Sequence, residues 1–98
     1  MAQVTFTDNI QRHIPCPPME VPGQTVREIL EQVFVHQPLM RSYILDDQGG
    51  VRKHMVIFVD GVQIRDPRRL SDRVPASGTV YVMQALSGGL DLEEVIHE

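Results

Sequence analysis

Val80-Tyr81-Val82-Met83-Gln84-Ala85-Leu86-Ser87-Gly88-Gly89 is the stretch on which the fold turns, because a β-type run leads almost directly into a glycine pair. Two glycines in series make a filament without side chains. Such a filament adopts backbone angles that other residues avoid, and it can approach a partner's backbone or a nucleotide phosphate closely. It is shaped to thread into another protein's active site. A flexible turn into the residues that follow is the plainer alternative, and the rest of the chain decides between the two.

The charge pattern changes at the same place. Nine Lys and Arg oppose thirteen Asp and Glu over 98 residues, and four of the acids, Asp91, Glu93, Glu94 and Glu98, follow Gly89. Residues 1–89 are therefore formally neutral and the net charge of −4 belongs to residues 90–98. A compositional break of this kind marks a processing boundary or an appended segment. The division expected is a domain over 1–89 and a flexible, removable acidic tail over 90–98.

At 42% hydrophobic content the chain suits one compact domain, which would bury roughly 65% of its unfolded surface. No apolar run approaches the ~18 residues of a membrane span, and Met1-Ala2-Gln3-Val4-Thr5 has no signal-peptide character. A cytoplasmic location is expected. Cys16 is the sole cysteine, which excludes an internal disulfide and a thiolate metal cluster, and no residue activates it. It is expected to be a partly buried structural thiol.

Upstream, Gln3-Val4-Thr5-Phe6-Thr7 alternates as a half-buried strand, and Asp8-Asn9 resembles a turn before Ile10-Gln11-Arg12-His13-Ile14, so a first hairpin is predicted. Pro15, Pro17 and Pro18 assign the next stretch to an edge or loop. Thr25-Val26-Arg27-Glu28 has capping-box form, and Val26, Ile29, Leu30, Val33 and Phe34 lay one apolar stripe along a helix ending near Gln37. His36 reads as a solvated residue near the helix C-terminus, with no second histidine at metal-ligand spacing.

Leu39-Met40-Arg41-Ser42 suggests a short turn, and Tyr43-Ile44-Leu45 a brief pairing before the polar loop Asp46-Asp47-Gln48-Gly49-Gly50. A strand over 51–59 then closes at Asp60-Gly61, a strong hairpin signal, onto Val62-Gln63-Ile64. Met55, Ile57 and Val59 fall on one face of that strand, and His54, Val56, Phe58 and Asp60 on the other. A single helix covers one face only, leaving Val56 and Phe58 for a partner, with Tyr81 and Met83 beside them. The competing expectation is that segment 38–50 supplies a second layer over that face.

Arg65, Arg68, Arg69 and Arg73 share one connection with Asp66 and Asp72. A solvated mixed-charge loop is the default reading, and docking onto an acidic partner surface stays open beside it. A neutral body, no aromatic in that loop and no nucleic-acid motif argue against nucleic-acid binding.

Hairpin, helix, hairpin and final strand give an α+β, β-grasp (ubiquitin-like) plan with four to five strands on one main helix. The sequence resembles the MoaD/ThiS sulfur carriers, in the longer molybdopterin-synthase-small-subunit-like form. The residues that carry the resemblance are 43–49, His54 through Gly61 with Ile64-Arg65, Leu70, and Thr79 through Gly89. It implies a protein without catalytic residues or a bound cofactor, whose terminal glycine carboxylate is adenylated with ATP by an activating enzyme and converted to a thiocarboxylate. It places the reactive carboxylate on Gly89, the filament on Gly88 and Gly89, and part of the activating-enzyme interface on Phe58 and Met83, with Tyr81 alongside.

Here the Gly89 carbonyl is in an amide bond with Leu90. The resemblance then implies a precursor cleaved between Gly89 and Leu90, as by the JAMM-type zinc metalloproteases that serve extended relatives, before sulfur passes to an accepting synthase. Two other classes stand beside it. One is a ubiquitin-like modifier joined to target lysines through Gly89, for which Lys53, the sole lysine, leaves little scope for self-linked chains. The other is a binding module that uses the sheet face with its tail intact.

Overall fold

The computed structural model describes residues 1–85. Its elements run β1 (Ala2–Phe6), α1 (Asp8–His13), β2 (Met19–Val21), α2 (Val26–His36), α3 (Leu39–Ile44), β3 (Met55–Val59), β4 (Val62–Gln63) and β5 (Thr79–Gln84). The five strands form one sheet in the order β2-β1-β5-β3-β4, with β1 and β5 parallel and the other pairs antiparallel. The last strand in sequence thus lies at the centre of the sheet.

The sheet buries one set of alternating residues. Ala2, Val4 and Phe6 of β1, Ile57 of β3, and Val80 and Val82 of β5 join Ile29, Leu30 and Val33 of α2 and Met40 and Ile44 of α3 in a single core. Each fully buried Leu, Ile or Val there contributes about 1.5–3 kcal/mol of apolar transfer.

Helix α2 forms where its signals place it. The Thr25 hydroxyl accepts from the Glu28 N–H at 3.2 Å, and the Glu28 carboxylate reaches back to the Gln24 N–H at 2.8 Å. Two further N–H groups of the first turn, on Val26 and Arg27, donate to the carbonyls of Asp72 and Leu70. The 64–73 connection thereby satisfies donors that an isolated helix would leave open. Gly23 lets the turn before the helix pack closely on its first turns: its φ is 149°, and a Cβ there would lie 2.8 Å from Ile29 Cγ1.

The first predicted hairpin is not present in the expected form. Ile10–Ile14 is not a strand, because Asp8-Asn9 opens helix α1 and Ile10 is fully buried in the core. Four residues on, Ile14 packs against the same core, the spacing of a helical face. The antiparallel partner of β1 is instead β2, beyond the prolines, at the sheet edge. Cys16 lies buried in the loop between, and burial pushes its thiol pKa up, as suits a structural residue.

Strand β3 is also shorter than the expected 51–59. The Val51 N–H donates to Pro67 O and the Arg52 N–H to Ile44 O, so both are engaged outside the sheet. At its other end Asp60 and Gly61 take φ of 49° and 84°, the paired positive angles of a type I′ turn. The Asp60 carboxylate then accepts from the Thr79 N–H at 2.9 Å, tying this turn to the start of β5.

Candidate functional site: the open sheet face and the exit of the last strand

Strand parity leaves a second face to the sheet. On it Phe58 stands opposite Tyr81 and Val56 opposite Met83 across the antiparallel β3–β5 pair, while Thr5 of β1 stands opposite Tyr81 from the other side. Directly opposed side chains in such an antiparallel pair have Cβ atoms about 4.5–5.5 Å apart, so Val56, Phe58, Tyr81 and Met83 form one apolar patch. Tyr81 is 38% exposed, and Val56, Phe58 and Met83 are half-buried. Exposed polar residues border it: Gln3, Gln63 and Thr79. An apolar centre with a polar rim is the anatomy of a protein-recognition surface.

Segment 38–50 does not cover this patch. Met40, Ile44 and Leu45 point into the same core as α2, and Arg41 lies 4.8 Å from the centre of the Phe34 ring on that helix. Tyr43 packs partly against the core, and its hydroxyl donates to Gln84 Oε1 at 2.9 Å on the helix-covered side of β5. The expected alternative of a second layer is therefore corrected: a helix with one apolar stripe has only the core to bury it in.

The C-terminal end of β5 is fixed from two sides. Tyr43 holds Gln84, and the Ala85 N–H donates to His54 O at 2.7 Å. The sequence carries no local signal for this anchor. Gln84 reads there as the end of an alternating run, and nothing in the sequence pairs it with a tyrosine 41 residues away.

Of the residues singled out in the sequence, Phe58, Tyr81 and Met83 are brought together beside this exit. Gly88, Gly89 and Leu90 lie outside the described residues. Gly89 follows Ala85 by four positions, a reach of at most about 14 Å. Among the described residues no group of three or more His, Cys, Asp or Glu side chains is placed to hold a metal ion, and no helix is long and apolar enough to cross a membrane.

No protein-family model matches the sequence, and no curated protein matches it significantly. Solved structures do match. A chain of the Amycolatopsis orientalis BexX/CysO complex superposes with a TM-score of 0.78 at 19% identity, covering 91% of this chain and 100% of that one. Small archaeal modifier protein 1 from Methanosarcina acetivorans gives 0.74 at 18% identity over 90% and 95% of the two chains. Mycobacterium tuberculosis CysO gives 0.75 at 13% identity over 88% and 100%. The fold is the β-grasp fold expected from the order of elements.

Proposed function

We propose that the chain is the precursor of a sulfur carrier whose working atom is the carbonyl carbon of Gly89. Removal of residues 90–98 would hydrolyse the Gly89–Leu90 amide and leave a carboxylate on Gly89. An oxygen of that carboxylate attacks the α-phosphorus of ATP on an activating enzyme and displaces pyrophosphate. A sulfide-equivalent nucleophile then attacks the acyl adenylate, AMP leaves, and a thiocarboxylate remains for an accepting synthase. The protein itself performs none of these steps. Its part is to deliver a carbonyl in line with a phosphate, where positioning lowers the barrier.

The observation that carries the reading is the placement of β5. A central strand, anchored through Ala85 to His54, runs directly in sequence into Leu86-Ser87-Gly88-Gly89 beside an apolar face that the described residues leave uncovered. The face suits an activating enzyme, and a side-chain-free pair four residues past the anchor suits a narrow nucleotide site. A MoaD/ThiS-like carrier combines these two features.

A ubiquitin-like modifier is the second reading, favoured by the superposition on a protein named a small archaeal modifier. Both need adenylation of Gly89, and their products differ. ATP–pyrophosphate exchange with the adenylating fraction of the native cell, freed of protease activity, tests the shared step: a chain ending at Gly89 should stimulate it, and the full-length chain and a Gly89→Ala version should not. Added sulfide or a sulfur donor should then give a thiocarboxylate for the carrier, whereas for the modifier lysine amines of added target proteins should displace AMP and give isopeptide-linked products. Equal stimulation by the full-length chain contradicts both.

A further inference from the structure

The connection Arg65-Asp66-Pro67-Arg68-Arg69-Leu70-Ser71-Asp72-Arg73 carries four arginines and two aspartates. Both carboxylates are used within it. Asp72 accepts from the N–H groups of Arg65 at 2.9 Å and Asp66 at 2.8 Å. Asp66 accepts from the Arg69 N–H at 3.1 Å and from the Ser71 hydroxyl, and these bonds hold its pKa below the ordinary carboxylate range.

The loop is stiff as well. Leu70 is fully buried at a φ of 60°, an angle a leucine keeps only where its surroundings enforce it, and Arg69 O accepts from Arg27 Nε. Arg65, Arg68, Arg69 and Arg73 are all exposed, and among the described residues none forms an ion pair. Arg27 and Arg41, by contrast, both pair with Glu31. Four guanidinium groups stand on a rigid loop whose own acids face inward to the backbone.

The chain also contains the complement. Residues 90–98 carry Asp91, Glu93, Glu94 and Glu98 and no lysine or arginine. The distance is short: the Ala85 N–H bonds His54 O, and Val51, three residues before His54, donates to Pro67 O at 2.8 Å. Ala85 therefore lies within about 20 Å of Pro67, and a chain can span some 20 Å by Asp91 and 30 Å by Glu94.

We propose that the 65–73 arginine loop is a docking surface for the acidic stretch 90–98 of the same chain. Fixing nine residues in one pose costs more entropy than a few exposed ion pairs return, so the contact is a diffuse, charge-driven attraction. It draws 90–98 toward the loop and away from the Phe58–Tyr81 face. Loss of the stretch leaves the four arginines without that counter-charge. The inference does not depend on Gly89 being a site of adenylation.

The test uses backbone amide NMR spectra of the full-length chain at low ionic strength. The natural sequence is compared with a version carrying Asp91→Asn, Glu93→Gln, Glu94→Gln and Glu98→Gln. Outside 90–98, where the substitutions act directly, amide shifts should differ between the two chiefly over 65–73, and that difference should vanish near 1 M salt, where the screening length falls to about 3 Å. Arg68→Gln with Arg69→Gln should in turn shift the amides of 91–94. No difference over 65–73, a difference centred on Phe58 and Tyr81 instead, or one that survives high salt would overturn the proposal.

Discussion

Neighbouring residues of β3 and β5 belong to two different surfaces. Ile57, Val80 and Val82 are buried against α2 and α3, whereas Phe58, Tyr81 and Met83, one step along the same strands, stay partly open. The two sets are similarly apolar. What separates them is cover, since the helices of the described chain contribute their buried residues to one core. Apolar character thus stabilises the fold on one face and remains available for a partner on the other.

The largest effects should fall on the covered face. Ile57→Ala should cost about 2–5 kcal/mol in urea unfolding, through lost transfer energy and the cavity left behind. A cost no larger than that of Phe58→Ala would erase the distinction between the faces. Gly23→Ala should come next, at roughly 1–3 kcal/mol, because the new Cβ meets Ile29 at a φ disfavoured for side chains.

Phe58→Asp and Met83→Asp should leave the melting temperature nearly unchanged while weakening binding to the proposed activating enzyme by ~1 kcal/mol or more. Calorimetry reads both quantities. Unfolding on either substitution would show that these residues serve the core instead.

A smaller effect concerns pH. Glu31 is held below its ordinary pKa by its hydrogen bonds to Arg41, Asp46 by the N–H groups of Gly50 and Gln48, and Asp66 by Ser71 and the Arg69 N–H. A lowered carboxylate stabilises the folded state above its unfolded pKa, and that stability is lost as pH falls through the folded value. The urea midpoint should therefore hold from pH 7 to about 5 and decline below pH 4. A midpoint that rises on acidification would contradict these assignments. Least affected should be a chain ending at Gly89, which should melt within a few degrees of the full-length protein. Fully burying Leu90, Leu92, Val95 and Ile96 would return about 6–12 kcal/mol at most. Ordering nine residues would cost roughly 9–18.

The elements that the sequence made legible are those whose signals are local. The Thr25 cap, the stripe from Val26 to Phe34, the Asp60-Gly61 turn and the alternation through Val80 and Val82 each report a short-range geometry. Asp8-Asn9 misled because a turn and a helix N-terminus use the same residue types, and the i, i+4 pair Ile10 and Ile14 was the signal that separated them. The truncated start of β3 and the Tyr43–Gln84 anchor were not legible, because each depends on a partner distant in sequence. Strand parity showed the apolar patch in advance, while its lack of cover depended on which way α3 packs.

The measurement closest to the central claim is the intact mass of the protein recovered from its own cell. The proposed carrier should end at Gly89, and part of it should carry one sulfur in place of an oxygen. A persisting population that retains residues 90–98, with no species ending at Gly89, would contradict it.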